Sequence, residues 1–529
     1  MKITISSKSL IFKPVEKPFP KSAEIFVLWG LALISFLAWF FYFRQGLTLS
    51  YNDAGSHLNV ARRVVDSLQP GFAQVGSVWL PLYHILELPF IWNDYFWRSG
   101  LAGSIISMIS YALGGFYLIK LTRKLNFDKV ASSVALLVYA LNPNLLFMQT
   151  TPMTESLLIF LSISSIYYII SWVKSGNLSE ILLSALFVFL TTLTRYDGWF
   201  LFLFSTLVIY FVAKRKRNSP YPQGNTILFL SLASFGVILW FLWNLIIFRD
   251  PLYFATGPFS AKAQQDVLSF EGRLLTKGNF VYSFFIYLLA ANENIGIWLG
   301  VLSLLGVYLF LRSKDYSWKI KLASGLLLTP VLFNVASLFA GHSVIHLPYI
   351  PPYTWFNDRY GLMILPAAAI AVGFLAKRRV LAGTLIFLVL VTQSINMYLN
   401  NKIITIEDGV RGASGEFLSQ GAAWIKQNAN QGLIFVAASS NDSLIFKSGL
   451  PLKSFVTEGA RKYWDASIVD PTVFATWVVM HKGDLVHENL KNNENFLKNF
   501  RLVYKDTFTY IYKLERNTNS PLGVDQLPI

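Results

Sequence analysis

The residues that could do chemistry stand in four polar segments of an otherwise apolar chain. These segments read SYNDAGSHLNVARRVVDS (residues 50–67), TTPMTESLL (150–158), LTRYDGWF (193–200) and WFNDRYGLMILP (355–366). Each of them holds a carboxylate, an arginine or both. A carboxylate can take a proton from an acceptor hydroxyl group, and fixed positive charge can stabilise a phosphate leaving group. The pattern therefore predicts group transfer from a phosphate to a hydroxyl group.

The carboxylates of the first two segments allow a structural and a functional interpretation. Asp53 and His57 are four residues apart, so they share a face if the segment is helical. Asp53 could equally cap a helix in a solvated loop. Glu155 stands where a helix is predicted to begin, so it could meet the positive end of the helix dipole, or hold a substrate hydroxyl group or a cation. Both interpretations stay open at this point.

The other two segments combine arginines with carboxylates. Arg195 and Asp197 could close a turn as an ion pair, or Arg195 could face a lipid-linked phosphate, because guanidinium groups bind phosphate through charge-assisted hydrogen bonds. Arg359 invites the same two interpretations. Together with Asp53 and Glu155, these residues map to the outer ends of predicted membrane helices, where ionisable groups are functional candidates by default.

The composition decides what kind of protein must position these residues. The chain has 529 residues, of which 54% are hydrophobic and 14% charged. Soluble domains have about 25% charged residues, so a soluble enzyme is nearly excluded. The absence of cysteine excludes disulfides, iron–sulfur clusters, thiolate zinc sites and cysteine nucleophiles. The net charge of +16 indicates basic residues gathered on the cytoplasmic side of a membrane rather than a nucleic-acid partner.

Long apolar runs predict about eleven membrane crossings, each of about 17–25 residues or somewhat fewer. The predicted crossings are residues 25–43, 99–119, 130–147, 156–173, 181–194, 198–213, 226–248, 295–311, 322–340, 361–376 and 380–400. The Lys-rich start predicts a cytoplasmic N-terminus and a retained first helix. Residues 181–213 are predicted to form a hairpin with residues 195–198 at its outer tip, because this places the basic residues 214–217 inside with the other basic clusters.

The tail beyond residue 400 has a mixed polar composition with short apolar runs. Residues 415–428 look helical, residues 432–438 and 476–480 look like strands, and residues 500–514 look like a hairpin. The predicted fold is therefore an α-helical polytopic membrane protein with a small C-terminal extracytoplasmic α/β domain. We expect a cytoplasmic segment at 1–24, a transmembrane catalytic domain at 25–400 and the extracytoplasmic domain at 401–529.

In these residues the chain resembles the GT-C superfamily of glycosyltransferases, and most of all its aminoarabinose-transferase and protein O-mannosyltransferase branch. The resemblance covers residues 25 to about 400 and depends on the order and common side of five motifs. These motifs are YNDAGSH in the first outer loop, PLYH, TES at a helix start, the TRYDGW hairpin and DRY followed by proline. It implies a sugar donor linked to a polyprenyl (dolichyl or undecaprenyl) monophosphate.

The resemblance also implies roles for particular residues. Asp53 would be the catalytic base, which deprotonates the acceptor hydroxyl group while the anomeric carbon is attacked with inversion. Arg195 and Arg359 would hold the donor phosphate, and Glu155 and Asp197 would shape the sugar or acceptor pocket. The remaining predicted substrate-binding residues are His57, which could instead orient Asp53 or help to bind a metal, and the tyrosines Tyr196 and Tyr360.

Partners and alternatives follow from the same resemblance. The expected partners are the lipid-linked donor, membrane lipid and an acceptor that is a lipid, a glycan or a protein, in the plasma membrane of a prokaryote. No firm cofactor is predicted, and a divalent cation stays open because no metal-ligand spacing is recognisable. The main alternative is a transporter or flippase for a lipid-linked or small anionic substrate, although no internal repeat favours it. A membrane scaffold that displays the tail is a second alternative.

Overall fold

The computed structural model describes residues 21–214, 222–257, 260–270, 272, 274–413, 419–429 and 431–515. Of the predicted cytoplasmic start at 1–24, only residues 21–24 are described. The basic residues 215–217 lie outside the described residues. Helices dominate the chain up to residue 413. In chain order they are α1 (Lys21–Arg44), α2 (Asn52–Arg63), α3 (Leu82–Ile91), α4 (Asp94–Arg98), α5 (Leu101–Lys124), α6 (Lys129–Ala140), α7 (Pro143–Met148), α8 (Glu155–Ser175), α9 (Leu178–Thr192), α10 (Asp197–Lys214), α11 (Pro222–Ala233), α12 (Phe235–Phe248), α13 (Tyr253–Thr256), α14 (Ala261–Phe270), α15 (Phe280–Ile295), α16 (Ile297–Arg312), α17 (Trp318–Ser324), α18 (Thr329–Ala340), α19 (Leu365–Leu375), α20 (Val380–Leu399) and α21 (Ile404–Arg411).

Short 3-10 helices and a mixed sheet complete the described elements. The 3-10 helices are Phe72–Val75, Gly325–Leu328, Asp358–Ile364, Leu452–Ser454 and Pro471–Val473. The later helices are α22 (Ser419–Asn428), α23 (Ala438–Ser448), α24 (Arg461–Val469), α25 (Leu485–Leu490) and α26 (Glu494–Asn499). The strands are β1 (Leu433–Val436), β2 (Phe455–Val456), β3 (Ala475–Met480), β4 (Phe500–Lys505) and β5 (Tyr510–Leu514).

Eight stretches of the described chain are long and apolar enough to cross a membrane, or nine if α15 and α16, bent by 111°, count as one. The eight are Ala23–Arg44, Leu101–Lys124, Glu155–Ser175, Asp197–Lys214, Gln223–Phe248, Trp318–Ala340, Asp358–Leu375 and Val380–Arg411. Their packing differs: the apolar window of α1 is 17% buried and that of α8 is 72% buried. We therefore place α8 in the core of the bundle and α1 at its lipid-facing surface.

The sequence predicts about eleven crossings, which is more than the eight or nine stretches of the described chain. Two of the predicted crossings fall on short helices. The run 130–147 is interrupted because α6 ends at Ala140 and a new helix, α7, begins after Asn142. Asn142 caps α7 by accepting a hydrogen bond from Leu145 N at 2.9 Å. The run 181–194 falls on α9, which has 15 residues. Both α6 and α9 are apolar but shorter than the about 17 residues that a crossing usually needs.

The predicted hairpin at residues 181–213 is confirmed as two helices separated by a short turn. Helix α9 ends at Thr192 and α10 begins at Asp197, and the two pack against each other. Gly198 makes this turn possible, because a Cβ atom there would lie 2.3 Å from the Thr191 carbonyl oxygen. The turn therefore holds residues 193–196 at a fixed place beside the first turn of α10.

The described chain divides into two compact units. Of the described residues, those within 21–57, 77–90 and 99–413 form the helical unit, and those within 58–76, 91–98 and 419–515 form the sheet unit. The helical unit thus extends beyond the predicted domain boundary at residue 401. The reason is that α21 is bound within it, since the Tyr51 hydroxyl group donates to Thr405 O at 2.6 Å. The assignment of segments to the two sides of the membrane stays a prediction.

The sheet unit contains the predicted α/β fold. Its strand order is β2-β1-β3-β5-β4, in which β2, β1 and β3 are parallel and β5 and β4 are antiparallel to their neighbours. The two predicted strands and the predicted hairpin are confirmed as β1, β3 and β4–β5. Both arginines of the first polar segment belong to this unit. Arg63 pairs with Asp442 at 2.8 Å, and Arg62 pairs with Asp94 at 2.6 Å.

Candidate active site

Arg359 stands at the centre of a group of ion pairs in the helical unit. Each of its three guanidinium nitrogens faces a different carboxylate. Nη2 lies 2.5 Å from Asp53 Oδ2, Nε lies 3.2 Å from Glu155 Oε1, and Nη1 lies 3.8 Å from Asp408 Oδ2. The three carboxylates come from α2, α8 and α21 respectively, so Arg359 joins distant parts of the chain at one point.

Arg195 belongs to the same group through a shared oxygen atom. Its Nη1 lies 3.2 Å from Glu155 Oε1, the atom that also faces Arg359. Its Nε lies 3.2 Å from Asp197 Oδ2. We call the six residues of these pairs the ion-pair cluster. Its members are Asp53, Glu155, Arg195, Asp197, Arg359 and Asp408.

Aromatic rings cover the two arginines. The Arg195 guanidinium carbon lies 4.8 Å from the centre of the Tyr360 ring, and that of Arg359 lies 5.3 Å from the same ring. The Tyr51 ring lies 4.8 Å from the Arg359 guanidinium carbon. Contacts of this kind attract a cation to the face of the ring. Tyr360 therefore contacts both arginines of the cluster, and its predicted contact with the substrate stays a prediction.

Helix starts position most of the carboxylates. Glu155 is the first residue of α8, Asp197 is the first residue of α10, and Asp53 is the second residue of α2. Negative charge is stabilised at such ends by the helix dipole. Arg195 stands in the turn just before α10, and Arg359 stands in the 3-10 helix Asp358–Ile364. Asp53 thus lies inside the first turn of α2 rather than at its N-cap, whereas Glu155 stands at the positive end of the α8 dipole as expected.

Exposure separates the cluster into a buried part and an accessible part. The side chains of Glu155, Arg359 and Asp197 are 0%, 3% and 5% exposed, whereas those of Arg195 and Asp53 are 17% and 38% exposed. Asp53 is therefore the carboxylate of the cluster that a substrate can best reach. Glu155 Oε2 and Asp197 Oδ1 accept no hydrogen bond from the described residues.

His57 and Tyr196 have their main polar contacts elsewhere. His57 Nδ1 lies 2.8 Å from His84 Nε2, and its ring centre lies 4.3 Å from that of Trp79. Burial, together with the positive charges of Arg359 and Arg195, lowers the pKa of His57 to about 3, so this residue is neutral at physiological pH. The Tyr196 hydroxyl group donates to Val78 O at 2.8 Å. The predicted substrate contacts of His57 and Tyr196 stay predictions.

A metal site finds no further support in this geometry. Within the residues that the structure describes, no group of three or more His, Asp or Glu side chains could hold a metal ion. The divalent cation that the sequence leaves open therefore stays open.

Sequence reasoning missed Asp408 and Tyr51. Asp408 lies in residues that we assigned to the tail domain, where one more acidic residue in a polar stretch gave no signal. A usable signal exists in the position of the motif IEDG directly after the last apolar run. Tyr51 stands two residues before Asp53, inside the motif that we used, but we assigned it no role.

Two comparisons with known proteins agree with this architecture. Residues 95–241 match the family model described as dolichyl-phosphate-mannose-protein mannosyltransferase. The fold is similar to that of ArnT from Cupriavidus metallidurans, solved both in the apo state and bound to undecaprenyl phosphate. For each ArnT structure the TM-score is 0.57 and the identity 12%, and the match covers 93% of this chain and 98% of ArnT.

A further similar structure is arabinofuranosyltransferase AftD from Mycobacteria. Its TM-score is 0.48 and its identity 12%, and the match covers 96% of this chain and 40% of AftD. No curated protein matches the chain significantly.

The fold is that of a polytopic helical membrane protein, and most carboxylates of its ion-pair cluster stand at helix starts. The chain therefore has the fold of ArnT, and part of it is similar to the protein mannosyltransferase family. The predicted fold, a helical membrane protein with a small C-terminal sheet, is thereby confirmed. Neither comparison supports the alternative of a transporter or flippase.

Proposed function

We propose that this enzyme moves a sugar from a polyprenyl monophosphate to an acceptor hydroxyl group outside the cytoplasm, with Asp53 as the base. The observation that carries the proposal is the ion pair between Asp53 and Arg359, 2.5 Å long, inside a cluster that also holds Arg195. A base and two guanidinium groups are thus within reach of one substrate. The undecaprenyl phosphate bound to ArnT supports a donor of this chemical class.

The reaction would proceed in a single displacement. The acceptor oxygen attacks the anomeric carbon from the face opposite the phosphate, and Asp53 takes its proton. The bond between the anomeric carbon and the phosphate oxygen breaks, so the polyprenyl phosphate leaves with one more negative charge. Arg195 and Arg359 stabilise this charge, since positive groups aimed at developing charge lower the barrier.

The exposed fractions support an order of contacts with the donor. Arg195 is 17% exposed and Arg359 is 3% exposed, so the phosphate meets Arg195 first. The free oxygens of Glu155 and Asp197 could then accept hydrogen bonds from sugar hydroxyl groups. Tyr360 would complete this wall of the site through its contact with both arginines.

The charge along the helices supports an extracytoplasmic site in a cell membrane. Helix α10 begins with Asp197 and ends with Lys214, and α5 ends with Arg123 and Lys124. Basic helix ends usually face the cytoplasm. The opposite end of α10, where the ion-pair cluster lies, would then face outward. We keep the expectation of a prokaryotic plasma membrane on the ground of the ArnT-like fold.

The test is transfer by the purified protein in liposomes. The probes are undecaprenyl-phosphate hexoses and pentoses, offered with extracted envelope lipids and glycans, and the readout is release of undecaprenyl phosphate. We expect release that depends on both donor and acceptor. Sugar transfer from a nucleotide sugar, with release of the nucleotide and no polyprenyl donor consumed, would contradict the proposed donor class.

A further inference from the structure

Helix α21 contributes a group to the ion-pair cluster that neither the motifs nor the comparisons assign. Its residues Thr405, Asp408 and Gly409 are buried. A Cβ atom at Gly409 would lie 2.6 Å from Ser50 Oγ and 3.0 Å from the Tyr51 ring. Only glycine therefore allows α21 to lie this close to the segment that leads into Asp53.

Hydrogen bonds fix α21 from the side of α7. Asn144 Oδ1 accepts from Thr405 N at 3.0 Å and from Thr405 Oγ1 at 2.9 Å. Asn144 Nδ2 in turn donates to Asn294 O at 3.1 Å, and Asn294 Nδ2 donates to Asp358 O at 2.7 Å. This chain of buried amides runs from α21 to the residue that precedes Arg359, so both elements share one rigid support.

Asp408 and Tyr51 together hold one edge and one face of the Arg359 guanidinium group. Asp408 is 0% exposed, and its Oδ2 lies 3.8 Å from Arg359 Nη1 and 3.4 Å from the Tyr51 hydroxyl oxygen. The Tyr51 ring lies 4.8 Å from the guanidinium carbon. Burial and the charge of Asp408 raise the pKa of Tyr51, so this phenol stays protonated and donates its hydrogen bond to Thr405 O.

We propose that Asp408 is a positioning residue that acts through Arg359 and keeps Nη2 directed at Asp53. The guanidinium group is planar and rigid, and each of its three nitrogens faces its own carboxylate. With Asp408 in place, the group cannot rotate without losing an ion pair. Without the charge of Asp408, one of the three carboxylates that fix the orientation of the group is lost, and the hold on Nη2 at Asp53 is weaker. The inference rests on the proposed function and adds a residue to it.

A merely structural role for Asp408 makes a different prediction. If the residue only stabilises the fold, its loss lowers the melting temperature and reduces kcat and donor binding together. If it positions Arg359, kcat falls while donor binding is kept or improved, because one negative charge has gone from beside the phosphate site. In metal sites, loss of a residue that orients a ligand costs about 10–100-fold in metal affinity or activity, and we expect a loss of the same order for a residue that orients Arg359.

The experiment compares Asp408→Asn with the wild type in liposomes, using undecaprenyl-phosphate sugars for kinetics and undecaprenyl phosphate alone for binding. We expect kcat about 10–100-fold lower, with the donor KM and the Kd of undecaprenyl phosphate unchanged or lower. Asp408→Glu restores the charge and should regain part of kcat. Tyr51→Phe keeps the ring but removes the hydroxyl group, and it should lower kcat less. The matched control is Glu407→Gln, which removes the adjacent carboxylate that pairs with Arg411 at 3.2 Å.

The other outcomes contradict the positioning role of Asp408, the role of its charge or the proposed function. The positioning role would be overturned if Asp408→Asn had the same kcat as Glu407→Gln. It would also be overturned if Asp408→Asn lowered kcat and donor binding together. A loss of kcat in Asp408→Asn that Asp408→Glu leaves unchanged would overturn the role of the charge. A wild type that consumes no polyprenyl-phosphate sugar contradicts the proposed function itself, and with it the role of Asp408 in that reaction.

Discussion

Arg359 Nη2 lies 2.5 Å from Asp53 Oδ2, although 306 residues separate the two along the chain. The pair joins the most accessible carboxylate of the ion-pair cluster to its most buried cation. Asp53 is therefore held in one orientation while its other oxygen stays available to a substrate. This arrangement suits a base that must receive a proton without moving.

Replacing the carboxylate of Asp53 tests the base directly. Asp53→Asn keeps the size of the side chain but cannot take a proton at the pH of the reaction. We expect transfer to fall by about 10²–10⁴-fold, the usual contribution of a general base. Binding of undecaprenyl phosphate should persist, because Arg195 and Arg359 are retained. Asp315→Asn, which changes a carboxylate 58% exposed beside Lys377, is the control, and full activity of Asp53→Asn removes Asp53 from the base role.

Arg195→Ala should weaken donor binding rather than abolish the reaction. A hydrogen bond to a charged group contributes about 1.5–3 kcal/mol, which corresponds to roughly 10–100-fold in Kd. The measurement is binding of undecaprenyl phosphate to the purified variant, with the exposed Arg249→Ala as control. An unchanged Kd would exclude Arg195 from the phosphate site.

Glu155→Gln should destabilise the protein, because Glu155 Oε1 is shared by two arginines at 3.2 Å each. Removing its charge leaves two buried cations close together, and breaking a buried pair costs about 3–5 kcal/mol. The melting temperature in detergent should drop clearly. The control is Glu180→Gln, which loses a partly exposed pair with Lys124 at 3.7 Å. Equal melting temperatures for the two variants would argue against a buried bridge at Glu155.

His57 should make the protein sensitive to acid. Its folded pKa of about 3 lies below the ordinary value of 6.5, so below pH 6.5 the unfolded chain takes up a proton that the folded chain does not. The stabilisation is complete above pH 6.5 and is lost as the pH falls toward 3, by up to about 1.4 kcal/mol per pH unit.

The measurement for His57 is the melting temperature as a function of pH. Between about pH 7 and about pH 5 the wild type should lose stability, and His57→Gln should lose less. His342→Gln replaces an exposed histidine and serves as the control. Parallel curves for wild type and His57→Gln would show that the buried pair of His57 and His84 does not take part.

Much of the helical unit and of the ion-pair cluster was predictable because charged residues are easily recognised within long apolar runs. Carboxylates and arginines are rare in apolar runs, so Glu155, Arg195 and Arg359 were visible without a structure. Asp408 was not, because a carboxylate is ordinary in a polar stretch, and only folding shows that α21 returns to Arg359. For Tyr196 the sequence does not tell on which side of the turn before α10 the side chain lies, so its predicted substrate contact stays a prediction.

The lengths of the membrane helices, and with them the number of crossings, were also difficult to predict from the sequence. Apolarity located α6 and α9, but their ends depend on local caps such as Asn142, which interrupt a run that is apolar throughout. Residue types therefore predicted where the membrane domain lies better than how many times it crosses.

The starts of α8 and α10 are already occupied by Glu155 and Asp197. In many proteins the backbone N–H groups at such places bind phosphate directly. Here carboxylates that pair with Arg195 stand at those positions, so in the proposed reaction the positive charge for the lipid phosphate comes from Arg195 and Arg359. Lysine in place of either arginine should weaken phosphate binding. The planar guanidinium group can donate to a carboxylate and to a phosphate from different nitrogens, whereas the lysine ammonium group is a compact point charge.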